Sequence, residues 1–227
     1  MHISQVMICR SRCAKSKTSS ALLQIKLTLN EDQNDYFNKI ILSSDRMSKL
    51  INDVLNYSKL SYSKKDYTEI DLNKVFEAVT NDFELMIQEK NATIRSGNLP
   101  TVSGIPLQLT QLFYNLMSNA LKFCDKSPLI DISSKKLLPD EVNSIPQLNH
   151  SLNYYQILFS DNGIGFDQKY ATQIFTIFKR LNWNHSSYEG TGIGLALCNK
   201  IVENHNGFIC AKGEENKGAT FEIYLPE

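Results

Sequence analysis

The chain has 227 residues and a mass of 25.8 kDa, with 24 basic and 24 acidic side chains, 42% hydrophobic and 10% aromatic residues. That suffices for one ordinary globular domain and a smaller element, and it excludes a chain that is disordered throughout. A formal net charge of zero gives no electrostatic reason to expect nucleic acid or an anionic membrane as partner, since both need a basic surplus. No apolar run reaches the roughly 18 to 20 residues that cross a bilayer, and Arg10, Arg12, Lys15 and Lys17 stand where a signal peptide would be apolar. The expectation is a soluble, cytoplasmic protein with no membrane segment. Cys9, Cys13, Cys124, Cys198 and Cys210 are odd in number and scattered, so reduced thiols are expected, with Cys124 and Cys198 acting as small hydrophobes within helical patterns. Cys9, Cys13 and His2 lack the remaining ligands that a metal cluster would need.

Residues 1–20 are rich in Ser, Arg, Lys and Cys and carry no sustained apolar period, so this piece is expected to be disordered. Ala21, Leu22, Ile25 and Leu29 begin a short apolar pattern, and Asn30 to Asn34 reads as the turn of a helical hairpin. From Gln33 to Leu60, the residues Phe37, Ile40, Ile41, Met47, Leu50, Ile51, Val54, Leu55, Tyr57 and Leu60 follow helical spacing. They predict an amphipathic helix roughly 40 Å long. Two helices bury little surface alone, so residues 21–65 are expected to form a four-helix bundle by homodimerising; the alternative is a helical linker on a monomer.

Residues 66–227 alternate strand and helix patterns. Leu72, Val75, Phe76, Val79, Phe83 and Met86 predict a helix over Asp71 to Gln88 with Asp71 as N-cap. Ala92 to Arg95 and Leu129 to Ser133 are short strand candidates, Ile105 to Phe123 a helix, and Asn153 to Ser160 a buried strand. Phe208 to Lys212 and Thr220 to Leu225 are strands joined by the turn Gly213 to Gly218, and Leu138 to Ser151, with Pro139 and Pro146, reads as a surface loop. The fold class expected is α+β, a two-layer α/β sandwich with helices on one face of a sheet.

Four segments carry chemistry. In Leu112 to Phe123, the residues Asn115, Asn119 and Lys122 project from one helix face. Carboxamide oxygens can complete the oxygen shell of Mg²⁺ and a lysine can neutralise phosphate; the plainer alternative is two asparagines bonded to nearby backbone. Asp161 to Phe166, DNGIGF, puts an acid at a strand end before glycines that let backbone approach closely, suited to an amine edge, or simply to a turn. Gly190, Gly192 and Gly194 lead into a helix marked by Ile193, Leu197, Ile201 and Val202, a natural seat for phosphate or else a flexible loop. The spacing is not a Rossmann fingerprint, because no strand precedes it, nor a P-loop, because no Gly-Lys-Ser/Thr follows. Ile174 to Leu181 sets Phe175 and Phe178 beside Lys179 and Arg180, either lid anchors with cations for a triphosphate or ordinary core with solvated charge.

Taken together and in this order, these segments closely resemble the N, G1, F and G2 boxes of the catalytic ATP-binding domain of sensor histidine kinases in the GHKL ATPase superfamily. The resemblance extends through Gly218 to Glu227. It implies the Bergerat-type sandwich preceded by an α-helical dimerisation hairpin, with ATP and Mg²⁺ as the bound species. By the same resemblance Asn119, with Asn115, would serve metal and phosphates, Lys122 the phosphates, Asp161 the adenine amine, and Gly163, Gly165 and Phe166 the nucleotide-facing turn. Lys179 and Arg180 would lie in a lid, with Gly190, Thr191, Gly192, Gly194 and Leu195 near the phosphates. Gyrase-, MutL- and chaperone-type members have a water-activating Glu where this chain has Asn115, which cannot be that base; this favours phosphoryl transfer over hydrolysis.

Asp35 to Ser61 is similar to the second hairpin helix of these kinases, whose first helix carries an acceptor histidine. Here that place falls near Ser16, without a neighbouring carboxylate. His2 lies too far upstream, and His150, His185 and His205 read as surface or loop residues. The expected partners are a response regulator or an intact kinase chain. The main expectation is a kinase portion that transfers the γ-phosphate to a histidine elsewhere. Its rivals are a non-catalytic pseudokinase module and an anti-sigma-type serine kinase.

Overall fold

The computed structural model describes residues 14–15, 18–19, 30–60, 67–181 and 190–227. The chain divides into two compact units, Met1–Tyr62 and Ser63–Glu227.

In the first unit, α1 spans Glu31–Leu60. It starts three residues before the expected turn has ended, because Asn30 and Gln33 form a reciprocal cap. The Gln33 N–H donates to Asn30 Oδ1 at 2.9 Å and the Asn30 N–H to Gln33 Oε1 at 3.1 Å. Two N–H groups that a helix start leaves orphaned are thereby satisfied, and Glu31 to Asn34 become helical, correcting the turn expected there. Phe37, Ile41 and Leu55 are half-buried, while Tyr36, Ile40, Met47 and Val54 are exposed. The expected first hairpin helix, Ala21 to Leu29, lies outside the described residues, as do Ser16, Cys9 and Cys13.

The second unit begins with β1, Thr68–Asp71, and α2, Leu72–Asp82. Asp71 is the N-cap, its carboxylate accepting the Asn73 N–H at 2.9 Å. The predicted helix to Gln88 is broken at Phe83, which has φ −101° and ψ 8°, and resumes as α3, Glu84–Glu89. Then follow β2 (Thr93–Ser96), β3 (Thr101–Gly104), α4 (Pro106–Lys122) and β4 (Leu129–Lys136). After them come α5 (Pro139–Asn143), β5 (Tyr154–Asp161), 3₁₀ turns at Gln168–Tyr170 and Gln173–Phe175, α6 (Gly194–Asn204), β6 (Phe208–Glu214) and β7 (Gly218–Pro226).

Five strands form one sheet in the order β2-β4-β5-β7-β6, parallel only between β2 and β4, and β1 pairs with β3 in a separate ribbon. One sheet face presents Ile132, Phe159, Phe221 and Ala211 as cross-strand partners, with Ile157, Ile223 and Ile209 in the adjacent row. Helices α2, α4 and α6 bury Phe76, Val79, Leu112, Phe113, Leu116, Leu197 and Ile201 in the same core. Phe76 meets Phe113 and Phe159 edge-on, at centroid distances of 6.0 and 6.5 Å. At roughly 1.5–3 kcal/mol per fully buried large apolar side chain, this layer is the main source of stability.

The segment from Leu138 to Ser151 is not a plain loop. Pro139 opens α5, Glu141 Oε2 accepts the Leu138 N–H at 2.8 Å, and Val142 and Leu148 pack with Leu137, Tyr154 and Tyr224. Tyr154 and Tyr224 alternate with Ile157 and Ile223 along their strands, so α5 covers part of the sheet face opposite the other helices. This corrects the expectation of helices on one face only.

His205 is also not a surface residue. It caps α6, 1% exposed, with its Nδ1 2.7 Å from Ile201 O and its Nε2 accepting the Ile105 N–H at 3.0 Å. Tyr67 lies against its ring and donates its hydroxyl hydrogen to Asn204 O. The buried imidazole thus ties the end of α6 to the start of α4. His150 is exposed as expected, and His185 and His2 lie outside the described residues.

Candidate functional site

Strand register decides where Asp161 points. The row beside Ile132, Phe159, Phe221 and Ala211 on the helix side consists of Ile130, Asp161, Ala219 and Gly213. Asp161 therefore enters the space between sheet and helices at the end of β5. Its carboxylate accepts the N–H of Gly163 at 2.9 Å and that of Ala219. Burial nevertheless raises its pKa above the usual carboxylate value.

The glycines after it are required by close packing. A Cβ on Gly163 would stand 2.4 Å from Phe123 O, and one on Gly165, whose φ is +60°, 2.0 Å from Glu214 O and 2.6 Å from Gly218 O. Ile164 donates to Phe123 O at 2.9 Å and its carbonyl accepts the Asn216 N–H at 2.7 Å. The turn is thus clamped between the end of α4 and the β6–β7 hairpin. Phe166 lies against β6, where a Cβ on Gly213 would come within 2.6 Å of its ring.

Helix α4 brings Asn115, Asn119 and Lys122 to the other wall. Asn115 Oδ1 accepts from Gln111 Nε2 at 3.1 Å, and its Nδ2 donates to Gly194 O at 3.4 Å and bonds the Cys198 thiol. Asn119 is half-buried, and its carboxamide has no hydrogen bond among the described residues. Lys122 Nζ lies 4.4 Å from the Phe123 ring centroid, and a Cβ on Gly190 would approach it to 2.8 Å. The two ends of the Gly190–Gly194 stretch therefore meet Lys122 and Asn115. Between them, Thr191 is half-buried, and Gly192 at φ +73° accepts the Phe178 N–H at 2.9 Å. Gly194 and the half-buried Leu195 form the first turn of α6, which carries no acidic residue and offers N–H groups with the positive dipole end.

The two aromatics of the fourth segment differ in placement. Ile174 is the buried residue, 7% exposed, Phe175 is half-buried, and Phe178 is 59% exposed at φ +64°. The 3₁₀ turn at Gln173–Phe175 followed by extended Thr176 replaces the period of an α-helix, which turns Phe178 outward. Lys179 and Arg180 are exposed, next to residues 182–189, which lie outside the described residues.

Spacing missed four contributors: Gln111, Cys198, Asn162 and the Phe123 carbonyl. Gln111 sits four residues before Asn115 on the same face and was legible from the period. Cys198 is fully buried and its thiol pKa is pushed up to about 12 by burial, so it is an inert neighbour of Asn115, in line with a small-hydrophobe reading. Asn162 Oδ1 accepts the Leu129 N–H at 2.8 Å and its Nδ2 donates to Ser127 O at 3.2 Å, fastening the turn to the start of β4.

The fold is thus a mixed α+β sandwich with three helices on one face of a sheet, and it brings an acid at a strand end together with a glycine stretch met by an asparagine and a lysine of one helix. Residues 104–227 match the family described as histidine kinase-, DNA gyrase B- and HSP90-like ATPase, and residues 17–63 match the His Kinase A (phospho-acceptor) domain. The chain belongs to this ATPase family, with a catalytic domain of the sensor-histidine-kinase type. It is 34% identical over 199 residues to phytochrome-like protein Cph1 of Synechocystis sp., covering 87% of this chain and 25% of that protein. It is 28% identical over 210 residues to the signal transduction histidine-protein kinase BarA of Escherichia coli, covering 89% of this chain and 22% of the relative. The chain spans about a quarter of the length of such curated relatives. Among solved structures, full-length ShkA in complex with AMPPNP shares the fold with a TM-score of 0.69 at 22% identity, covering 99% of this chain and 45% of ShkA. No helix among the described residues is long and apolar enough to cross a membrane.

Proposed function

We propose that this chain is the ATP-binding and phosphotransfer portion of a two-component histidine kinase, with a dimerising hairpin over residues 21–65 and a catalytic domain over 66–227. The observation that carries the reading is the meeting of Lys122 and Asn115 with the two ends of the glycine stretch, together with a half-buried carboxylate at the end of β5. In this reading Asp161 accepts the adenine amine, Lys122 and the N–H groups of Gly190 to Leu195 take the phosphates, and Lys179 and Arg180 reach the outer phosphates. Phe166 supports the Gly163–Gly165 turn from the β6 side.

Among the described residues no group of three or more His, Cys, Asp or Glu could hold a metal ion. This suits Mg²⁺, which is usually held by one or two protein oxygens with phosphates and waters completing its octahedron. The half-buried Asn119 carboxamide offers such an oxygen. When bound, the ion would neutralise charge developing on the transferred phosphoryl group. The chain's own residues would hold ATP so that the bond from Pγ to the bridging oxygen breaks, ADP leaves, and a bond forms from phosphorus to an imidazole nitrogen.

No histidine lies in residues 17–63, the stretch that matches the phospho-acceptor domain. We take the acceptor to be on another chain, an intact kinase or a downstream phosphorelay protein such as a response regulator pathway supplies. ThkA has been solved in complex with a response regulator protein, TrrA, and shares this fold with a TM-score of 0.63 at 20% identity, covering 99% of this chain and 60% of ThkA. The same lack of a histidine favours the pseudokinase as second reading. Incubation with Mg²⁺ and γ-labelled ATP, alone and with a histidine-bearing hairpin fragment, decides between them. Acid-labile label on the fragment supports the kinase; bound ATP without transfer supports the pseudokinase. Light scattering of the full chain is expected to give a dimer.

A further inference from the structure

Gln111, Asn115 and Asn119 place three carboxamides along one face of α4 at i, i+4 and i+8, yet their surroundings differ. Asn115 is held at both ends. Its oxygen accepts from Gln111 Nε2 at 3.1 Å, and its nitrogen faces Gly194 O at 3.4 Å and the sulfur of the fully buried Cys198. Cys198 Sγ is in turn 3.8 Å from Leu112 O. Turning the amide over would set donor against donor at Gln111 and acceptor against acceptor at Gly194, so the orientation is over-determined. The carbonyl oxygen already accepts one hydrogen bond and the nitrogen has no lone pair to offer a metal, so a strut between two helices is what the contacts describe. Asn119, one turn on, has no hydrogen bond among the described residues.

We propose that Asn115 is a positioning residue, oriented by Gln111 and Cys198, that seats the first turn of α6 through Gly194 O and so aims the phosphate-facing N–H groups. The inference rests on the nucleotide reading above. Because the orphan N–H groups of a helix start move as one body with its first turn, a shift of Gly194 shifts the phosphate seat and leaves Asp161 untouched.

Calorimetric titration of the full chain with AMP and with ATP, each in Mg²⁺ and in excess chelator, separates the roles, with a thermal melt as control. The decisive variant is Asn115→Asp: a carboxylate is a better magnesium ligand than a carboxamide, but it puts an oxygen where Nδ2 faced Gly194 O. ATP affinity is expected to fall about tenfold with and without Mg²⁺, while AMP affinity holds. Gln111→Ala is expected to show the same pattern at about threefold, and it carries the test if Asn115→Asp does not fold. Asn119→Ala is expected to lose the gain that Mg²⁺ confers and to keep the chelator value. Retained or stronger Mg²⁺-dependent ATP affinity in Asn115→Asp overturns the proposal, as does a parallel loss of AMP binding in a folded variant. Wild-type chain that binds neither nucleotide overturns the nucleotide reading itself, a distinct result.

Discussion

At Gly165 an added Cβ would stand 2.0 Å from the Glu214 carbonyl oxygen, while at Gly194 the nearest atoms are those of the Asn115 carboxamide at 3.9 Å. Both glycines belong to the same candidate site and both stand out equally in the sequence. The first is locked by backbone on two sides and by a φ of +60°, so glycine there serves the fold. The second has ordinary van der Waals room, so the fold does not demand glycine there. One wall of the site is therefore rigid and backbone-built, and the other is set by side-chain contacts between α4 and α6.

The largest effect expected from this contrast is Gly165→Ala. The methyl would require the β6–β7 hairpin to move or the left-handed backbone to change, and strain of this kind costs on the order of 3 kcal/mol or more. Denaturant melts of the variant and of Gly194→Ala, run side by side, should show a large loss in the first and none in the second. Equal melting points would erase the distinction between the two walls.

The carboxylate that this rigid wall holds is expected to carry a stability cost of its own. Burial sets the folded pKa of Asp161 above its unfolded value of 3.8. As pH rises past that value the unfolded chain releases the proton first, so stability contributed by the protonated acid declines until the folded group has ionised as well. Asp161→Asn removes the effect and should melt higher than the parent at pH 7, with the difference closing toward pH 3. The same variant should bind ATP at least about tenfold more weakly, ~1.4 kcal/mol. The Gly163 N–H would keep the amide oxygen on its side, and in the proposed reading the NH₂ then puts a donor where an adenine amine would need an acceptor. A variant that is no more stable at pH 7 than at pH 3, relative to the parent, would count against a desolvated carboxylate at this position.

How much of this was legible depended on the distance over which each contact acts. The Asp71 cap, α4 and β5 follow from local period and are found within a residue or two of where the pattern puts them. The reciprocal cap of Asn30 and Gln33 was equally local and was open to a reading that the turn hypothesis passed over. The ribbon of β1 and β3 was not, since each strand has four residues and only their pairing makes them strands. Helix α5 needs Glu141 to reach back to Leu138 and a second core under Tyr154 and Tyr224, neither of which a proline-bearing polar stretch announces. His205 looked like a loop residue because its partner, the Ile105 N–H, is 100 residues away. For the site, helical spacing put Asn115 and Asn119 on one face, but which of them is already engaged depends on Gly194, 79 residues along the chain.

The smallest expected effect is the one that most sharpens the two-wall picture. Gly194 begins α6 and has no positive φ, so Gly194→Ala should keep the fold and gain up to about 0.5 kcal/mol from helix propensity. If glycine stands there only by lack of pressure, ATP affinity will not move. If the phosphates come up to the bare backbone of this turn, the added methyl will weaken ATP binding by a few fold in a chain that melts at or above the parent temperature, while AMP, which does not reach the outer phosphate seat, will bind as before. A glycine that improves stability when replaced and weakens only the triphosphate complex is one that the ligand requires. The opposite pattern, lost stability with intact binding, would return Gly194 to the same class as Gly165 and make the second wall as much a packing feature as the first.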